Sequence, residues 1–314
     1  MVPSRSAILL WGIANDQPMA SVRAALARIN VRVVFLDQQA HLQTAISLIV
    51  DRDVRGSLRL NSGEIDLNSI GAVYLRPYDS RRMLAMGNAT PGSTEWCHAI
   101  GLEDSLLSWI EMTSAFVVSL PSAMGSNNSK PYQMRLIRAA GFDVPDTLVT
   151  TDVTAVLELW EKHHAIIYKS VSGVRSIVSR LTADHRDRLC NVANCPTQFQ
   201  QYVEGTDFRV HIVGDDLFAC EICSAADDYR YPDQQGGPVQ IRSGEIPAEI
   251  AERCYALAAA LNLPFTGIDP RRTPAGRWYC FEANPCPGFT FYENATGQPI
   301  SAAVAALLVS SRNR

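Results

Sequence analysis

Three oxygen-bearing side chains follow predicted strands in the last fifth of the chain. Asp269 ends a predicted strand at Gly267–Asp269, Glu282 ends the next one at Trp278–Glu282, and Asn284 follows two residues later. Because residues i and i+2 of an extended segment point to the same face, Glu282 and Asn284 share one. Two carboxylates and an amide oxygen on neighbouring strand ends suit Mg²⁺ that also holds phosphate oxygens. The alternative is a solvated strand edge. It is disfavoured by apolar flanking residues, namely Ile268, Phe281 and Pro285.

Two separated lysines are candidates for binding an anion. Lys130 comes just before a predicted helix, and Lys169 ends the apolar predicted strand Ala165–Lys169. A lysine at the end of a buried strand needs an anionic partner or a solvated cleft. The loop after it contains Ser172 and Gly173, whose hydroxyl and backbone N–H groups could bind phosphate. The alternative for this loop is an ordinary hairpin.

A third candidate segment is Gln200–His211. It runs from an apolar strand through an acidic turn into a strand that alternates Asp207, Arg209 and His211. A strand edge can bind adenine through its backbone, nearby acids can bind ribose hydroxyls, and Arg209 can face phosphate. The alternative is a salt-bridged hairpin, with His211 a buried strand histidine.

The elements that precede these motifs predict a small α/β domain over residues 1–122. Alternating strands and helices indicate a parallel sheet with right-handed crossovers. The predicted elements are strands at 6–12, 31–36 and 72–75, and helices at 19–29 and 105–117, after which Phe116–Leu120 leads into Pro121. The first turn has one glycine where the dinucleotide-binding GxGxxG pattern needs three, which argues against NAD or FAD. Arg76 follows a strand at the carboxyl edge of this sheet, where it could bind a substrate carboxylate or pair with Asp79.

The rest of the chain is predicted to be α+β with mostly antiparallel strands. The predicted helices cover 132–140, 152–162, 247–261 and 300–308. Besides the strands that carry the motifs, strands are predicted at 176–181 and 199–203, and a hairpin at 207–213 and 216–224 turns at Gly214-Asp215.

Composition narrows the class of protein. The chain has 314 residues, 47% hydrophobic and 19% charged, with a formal net charge of -4, so no broad basic face for nucleic acid is implied. No apolar run approaches the ~20 residues of a membrane span, and we expect a cytoplasmic protein with reduced cysteines. Cys220 and Cys223 have CxxC spacing but fall on a predicted strand, where they face opposite sides and cannot share a metal. Cys286 is predicted to pack rather than to react.

The order of the motifs resembles an ATP-grasp carboxylate–amine ligase over about residues 120–308. Within that superfamily the chain is most similar to the ribosomal-protein glutamate ligase branch. Three segments also resemble graspetide (microviridin-type) macrocyclases: Asn127–Pro131, Asp228–Arg230 and Asn284–Ile300. The run after Asn284, Pro-Cys-Pro-Gly-Phe-Thr-Phe-Tyr-Glu, departs from the macrocyclase pattern. The resemblance implies a Rossmann-like pre-ATP-grasp domain at 1–122 and a two-lobed ATP-grasp fold, with a central or lid subdomain at 123–197 and a C-terminal subdomain at 198–314.

The resemblance also implies a role for each motif. Lys130 and Lys169 would contact ATP phosphates, together with the loop residues Ser172 and Gly173. The adenine site would be lined by Gln200, Gln201, Tyr202 and Val203, with Glu204 or Asp207 near ribose. Mg²⁺ (or Mn²⁺) would be held by Asp269, Glu282 and Asn284. Arg209 and Arg230 would neutralise the transferred phosphoryl group, and Arg76 would bind substrate.

The implied activity is an ADP-forming ligase that activates a carboxylate as an acyl-phosphate and joins it to an amine. The carboxylate could belong to a small molecule or a peptide, and a peptide macrocyclase of the same fold is one alternative. Two further alternatives are an ATP-dependent phosphotransferase and a nucleotide-binding regulator without turnover. No nucleic-acid or membrane partner is expected, and a homodimer remains open.

Overall fold

The structure is a computed structural model that describes residues 7–86, 90–171, 178–224 and 239–312. Across these residues the strands form four sheets: a parallel four-stranded sheet, a small antiparallel insertion, an antiparallel four-stranded sheet and an antiparallel five-stranded sheet. Among the described helices, none is both long and apolar enough to cross a membrane.

The first sheet is parallel, as predicted, with strand order β2-β1-β6-β7. Its strands are β1 (Ala7–Gly12), β2 (Val33–Asp37), β6 (Ile70–Arg76) and β7 (Phe116–Val118). All six residues of β1 are buried, because a central parallel strand is covered on both faces. Helices α1 (Gln17–Arg28), α2 (Ser80–Met86), α3 (Thr94–Met112) and α4 (Pro121–Met124) accompany the sheet.

In this region one sequence prediction was wrong and one sheet was not predicted. Helix α3 was expected at 105–117 but begins at Thr94, where the Ser93 side chain accepts a hydrogen bond from the Trp96 N–H and caps the helix. The sheet that was not predicted is antiparallel and has three strands: β3 (Ala45–Val50), β4 (Val54–Leu60) and β5 (Gly63–Asp66). Its strands are largely exposed or half-buried, and two of them, β4 and β5, are interrupted by charged residues.

The antiparallel four-stranded sheet has strand order β10-β9-β11-β8. Its strands are β8 (Thr147–Thr150), β9 (Ile166–Ser170), β10 (Ser179–Arg180) and β11 (Thr197–Gln201), and α6 (Val153–His163) packs against them. The strand predicted at 199–203 lies two residues earlier, so Tyr202 and Val203 follow the strand instead of ending it. Of the strand predicted at 176–181, residues 176 and 177 lie outside the described residues, and within 178–181 only Ser179–Arg180 form a strand, β10.

The antiparallel five-stranded sheet has strand order β14-β13-β12-β15-β16. Its strands are β12 (Thr206–Val213), β13 (Asp216–Cys223), β14 (Gln240–Ser243), β15 (Phe265–Arg272) and β16 (Trp278–Asn284). The predicted hairpin with its turn at Gly214-Asp215 is confirmed. Helices α5 (Lys130–Ala139) and α7 (Ala248–Ala260) pack on one face of this sheet and share a core with its inward-facing residues.

The chain then returns to the first sheet. After α8 (Thr290–Thr296), helix α9 (Ile300–Ser311) packs beside α1. Its residues Ile300, Val304 and Leu308 are fully buried in one core cluster with Ile8 and Leu10 of β1. The C-terminal part of the chain therefore supplies one of the layers that cover the N-terminal sheet.

Candidate active site

A β-bulge sets the direction of two of the three predicted metal ligands. In the pairing of β15 with β16 the register shifts between Ile268 and Pro270. Cys280 and Ala283 are three residues apart, yet both lie in the core beneath the sheet. In a regular strand they would face opposite sides. The bulge therefore keeps both in the core and leaves Glu282 and Asn284 on the opposite face, which is the kind of re-aiming that bulges provide.

Each of the two predicted metal-binding carboxylates is paired with a predicted phosphate-binding cation. Lys130 Nζ lies 2.8 Å from Glu282 Oε1, and Arg209 Nη1 lies 2.5 Å from Asp269 Oδ1. Lys130 is 7% exposed and Arg209 is 5% exposed. Buried charges at this depth require such partners. Residues that are up to 152 positions apart in sequence thus form one cluster of alternating charge.

Arg209 is held from several sides. Its Nε donates a hydrogen bond to His211 Nε2 at 3.3 Å, and its Cζ lies 5.5 Å from the centre of the Tyr292 ring. Burial, with a smaller contribution from the Arg209 charge, holds the pKa of His211 well below its ordinary value. His211 is therefore neutral at pH 7 and carries its proton on Nδ1, since Nε2 accepts from Arg209.

Gly267 leaves the space that the Arg209 guanidinium occupies. A Cβ atom at residue 267 would stand 2.3 Å from Arg209 Nη2 and 2.6 Å from its Cζ. The sequence analysis did not single out this glycine. The feature that could have identified Gly267 is its position two residues before Asp269, on the same face of the strand.

Gln133 on α5 bonds to the backbone between the two predicted ligands of β16. Its Nε2 donates to the Ala283 carbonyl at 2.7 Å, and its Oε1 accepts from the Ala283 N–H at 3.1 Å. The sequence analysis also missed this residue, although it lies one helical turn after Lys130 and therefore on the same helix face.

A polar face on the antiparallel four-stranded sheet contains Lys169. This lysine is 9% exposed and lies opposite Gln198 in the register of β9 and β11. Gln200 shares the face and donates from Nε2 to Thr147 Oγ1 at 2.9 Å. Both side-chain amide atoms of Gln198 are buried, and neither has a hydrogen-bond partner among the described residues. Gln198 is a polar residue of this face that the sequence analysis did not identify.

Gln201, the last residue of β11, and Tyr202, which follows it, are held by backbone hydrogen bonds to neighbouring segments. The N–H of Gln201 donates to the Asp146 carbonyl at 2.9 Å, and that of Tyr202 donates to the Ala165 carbonyl at 3.0 Å. The Arg180 guanidinium lies 3.8 Å from the centre of the Tyr202 ring. Gln201 and Tyr202 thus have a fixed course next to the polar face.

Asp207 forms a two-bond ion pair that the sequence analysis did not predict. Arg271 Nε and Nη2 each lie 2.7 Å from a different carboxylate oxygen of Asp207, and Arg271 Nη1 donates to the Val203 carbonyl at 2.7 Å. The neighbouring residue Glu204 is exposed. The alternative of a salt-bridged hairpin is therefore met in part. Asp207 and Arg209 do form ion pairs, but their partners Arg271 and Asp269 lie on β15 and not on β13, the other strand of the hairpin.

Arg76 does not pair with Asp79. Its Nε lies 2.7 Å from Asp16 Oδ2, and its Nη1 donates to the Pro287 carbonyl at 2.9 Å. Asn284 Oδ1 accepts from the Cys286 N–H at 3.0 Å, just before that contact. Arg76 therefore ties the carboxyl edge of the first sheet to the segment that follows the predicted metal ligands. Burial raises the pKa of the Cys286 thiol, which agrees with the predicted packing role.

Three predicted site residues lie outside the described residues: Ser172, Gly173 and Arg230. Among the described residues, no three His, Cys, Asp or Glu side chains are grouped as a metal site. The predicted donor set, Asp269, Glu282 and Asn284, offers two carboxylates and one amide oxygen. This set fits Mg²⁺, which commonly takes one or two protein carboxylates and completes its shell with water and phosphate oxygens.

A cavity of about 700 Å³ lies elsewhere, between the end of α3 and the C-terminal half of α7. It includes Ile212, which faces the core side of β12, and its charged lining residues are Glu111 and Asp215. No lysine or arginine is among its described lining residues. An acidic cavity of this kind does not suit a polyphosphate, so the charge cluster is the better candidate for the site.

Comparisons with known proteins give matches among solved structures. No family model matches the sequence, and no curated protein sequence matches it. The macrocyclase MdnC from Microcystis aeruginosa MRC, bound with the precursor peptide MdnA, has a TM-score of 0.83 and 22% identity and covers 97% of this chain and 100% of its own. The ATP-grasp ligase PsnB, complexed with a phosphomimetic variant of its minimal precursor, Mg and ADP, has a TM-score of 0.77 and 25% identity and covers 98% of both chains.

A third similar structure is a RiPP-associated ATP-grasp ligase from Chryseobacterium gregarium in complex with ADP and a leader and core peptide. It has a TM-score of 0.79 and 22% identity and covers 98% of this chain and 99% of its own. The matches span nearly the whole length of each chain. The protein has the ATP-grasp fold, which confirms at the level of the fold the resemblance found in the sequence.

Proposed function

We propose that the protein is an ATP-dependent, ADP-forming ligase that joins a carboxylate to an amine. The observation that carries this proposal is the cluster of alternating charge, Lys130–Glu282 and Arg209–Asp269, whose carboxylates lie on the paired strands β15 and β16. Because each carboxylate has a cation beside it, a polyanion that arrives with a divalent cation can exchange these pairs without leaving a buried charge uncompensated. Mg²⁺-bound ATP has this composition.

Different residues would bind the metal, the phosphates, the adenine and the ribose. Asp269, Glu282 and Asn284 would hold Mg²⁺, which when bound would neutralise charge on the phosphates. Lys130 and Lys169, with Ser172 and Gly173, would bind phosphates. The adenine site would be lined by Gln200, Gln201, Tyr202 and Val203. Glu204 is favoured over Asp207 for the ribose, since both Asp207 oxygens are bonded to Arg271.

The chemistry follows from the charges of the cluster. The substrate carboxylate attacks the γ-phosphorus of ATP, the bond to the β-phosphate oxygen breaks, and ADP and an acyl-phosphate result. Arg209 and Arg230 would stabilise the charge on the transferred group. An amine then attacks the acyl carbon, loses a proton and expels phosphate. No protein nucleophile is required in this sequence.

We further propose that the carboxylate belongs to a peptide and that the protein is a graspetide-type ligase. Support comes from the similar structures, which contain a precursor peptide or a leader and core peptide. Arg76 would act at the substrate end of the site, since it contacts Pro287 just beyond Asn284. In this proposal residues 1–122 form the Rossmann-like pre-ATP-grasp domain, 123–197 the central or lid subdomain, and 198–314 the C-terminal subdomain.

Calorimetric titration of ADP and of a non-hydrolysable ATP analogue, each with and without Mg²⁺, tests the nucleotide site. Wild type should bind both more tightly with Mg²⁺, and Glu282→Gln should lose that dependence because it removes a metal-binding charge. Glu64→Gln, at an exposed position on β5, is the matched control and should behave as wild type. A Glu282→Gln variant with an unchanged Mg²⁺ response would contradict the assignment.

A panel of synthetic peptides that contain aspartate or glutamate together with lysine tests the ligase activity. ADP release should accompany a product mass lower by one water for each bond formed. Phosphate added to the peptide without loss of water would indicate a phosphotransferase. Nucleotide binding without turnover on any peptide would favour the regulator.

A further inference from the structure

Helix α5 presents two polar side chains to the same stretch of β16. Lys130 and Gln133 are three residues apart, so they lie on one face of the helix. Lys130 reaches the Glu282 carboxylate, and Gln133 reaches the backbone of Ala283, the next residue. Two consecutive residues of the candidate metal strand are therefore held by one turn of one helix.

The contact of Gln133 replaces a missing neighbouring strand. Among the described strands β16 is the last of its sheet, so its outer backbone groups face no further strand there. Near its start, the backbone of Asp143 bonds to the Trp278 carbonyl and the Cys280 N–H. Further along, the Gln133 amide donates to the Ala283 carbonyl and accepts from the Ala283 N–H, as a peptide group of a paired strand would.

The location of this contact gives it a consequence for the site. Ala283 lies between Glu282 and Asn284, and both project from the opposite face of the strand. The bulge in β16 precedes Ala283 and interrupts the regular ladder to β15. The segment therefore depends on its outer edge for part of its order, and Gln133, which is 1% exposed, supplies hydrogen bonds there.

We propose that Gln133 is a positioning residue for the metal site: it fixes the backbone of Ala283 and thereby the direction of Glu282 and Asn284. This inference rests on the proposed function for the identity of the metal. Residues that orient metal ligands through hydrogen bonds commonly change metal affinity when they are lost. Gln133 would do so through the backbone of Ala283, the residue between two of the ligands. Gln133 itself touches neither metal nor nucleotide in this proposal.

The first test is amide hydrogen exchange of wild type and Gln133→Met, which keeps the size of the side chain and removes its hydrogen bonds. The Ala283 amide should exchange faster in the variant, while the Cys280 amide, held by Asp143, should be unchanged and serves as the internal reference. Equal protection of Ala283 in both proteins would overturn the proposal. This measurement requires no nucleotide.

The second test is calorimetric titration of ADP with and without Mg²⁺. In Gln133→Met the tightening of ADP binding by Mg²⁺ should fall about tenfold or more, while ADP affinity without Mg²⁺ stays unchanged. Ile137→Val, a buried packing change on the same helix, is the matched control and should keep the Mg²⁺ response. A similar loss in Ile137→Val would overturn the proposal, because helix packing alone would then explain the effect.

A second variant covers the case in which Gln133→Met does not fold. Gln133→Glu keeps the shape and an acceptor for the Ala283 N–H but removes the donor to the carbonyl. It should retain protection of the Ala283 amide and lose part of the Mg²⁺ response, and a full response would overturn the proposal. If wild-type ADP binding shows no Mg²⁺ dependence, the proposed function fails, and hydrogen exchange still decides whether Gln133 orders the strand.

Discussion

Replacing Gly267 with alanine would place a methyl group where the Arg209 guanidinium lies. The new Cβ would stand 2.3 Å from Arg209 Nη2, and non-bonded heavy atoms need about 3.5 Å, so the guanidinium must retreat by about 1 Å. Arg209 cannot retreat into solvent, because it is 5% exposed. Its 2.5 Å bond to Asp269 must therefore lengthen or break.

We expect Gly267→Ala to lower the free energy of unfolding by about 1–3 kcal/mol, the usual cost of forcing extra volume into a packed interior. Arg209→Ala removes the atoms that clash. In that background, alanine at residue 267 should be neutral or stabilising by about 0.5–1 kcal/mol, since glycine is unfavourable within a strand. The two substitutions should therefore be strongly non-additive.

Urea unfolding of the wild type, both single variants and the double variant measures this coupling. Gly101→Ala is the matched control, because a Cβ there meets nothing within 4 Å in helix α3, and it should gain about 0.5–1 kcal/mol. Effects of Gly267→Ala and Arg209→Ala that simply add would refute the packing argument. Binding of the Mg²⁺-bound ATP analogue should weaken in Gly267→Ala as it does in Arg209→Ala, because both misplace the same guanidinium.

Three further predictions concern other charged or polar groups. Lys130→Met should weaken binding of the Mg²⁺-bound ATP analogue about tenfold, as expected for loss of one charge-assisted hydrogen bond, and unchanged affinity by calorimetry would contradict a phosphate role. Asp207→Asn should lower the free energy of unfolding by about 1–3 kcal/mol by breaking the two-bond pair with Arg271, whereas Asp51→Asn, in an exposed pair, should leave urea unfolding nearly unchanged. The pKa of His211 is lower in the folded protein than in the unfolded chain. Below about pH 6.5 the unfolded chain therefore binds a proton that the folded protein does not, and the free energy of unfolding decreases as the pH is lowered. His211→Gln should show a smaller loss of stability between pH 7.5 and 5.5, and equal losses in both proteins would contradict the burial of a neutral imidazole.

The sequence was most informative where a polar residue follows an apolar strand. Asp269, Glu282 and Lys169 were found in this way, because the local pattern of apolar residues marks them. Their predicted place at a strand end was wrong, because β15 continues to Arg272, β16 to Asn284 and β9 to Ser170. Their partners were not found. The Lys130–Glu282 and Arg209–Asp269 pairs join residues 152 and 60 positions apart, and no local pattern encodes which strands meet.

Residues that act through backbone geometry left a weaker signal. Gly267 matters because of the side chain that crosses it, and Gln133 matters because β16 is an edge strand with a bulge; neither condition can be seen in a single segment. The predicted order of strands and helices was broadly correct, since apolar periodicity is local. In the insertion β3–β5, which was missed, β4 and β5 mix charged and apolar residues, whereas the apolar strand β3 could have been found from its sequence.

The packing of α9 on the first sheet has a consequence for the order in which the protein folds. Residues 7–76 contain the central strands of that sheet and leave the ribosome early, but Ile300, Val304 and Leu308 cover it only after most of the remaining chain has been made. Until then an apolar surface of the sheet is exposed, in a state that invites aggregation. The parallel sheet is therefore completed only when α9 has been made, and fragments that end before residue 300 should be recovered poorly even when they contain all four strands of that sheet.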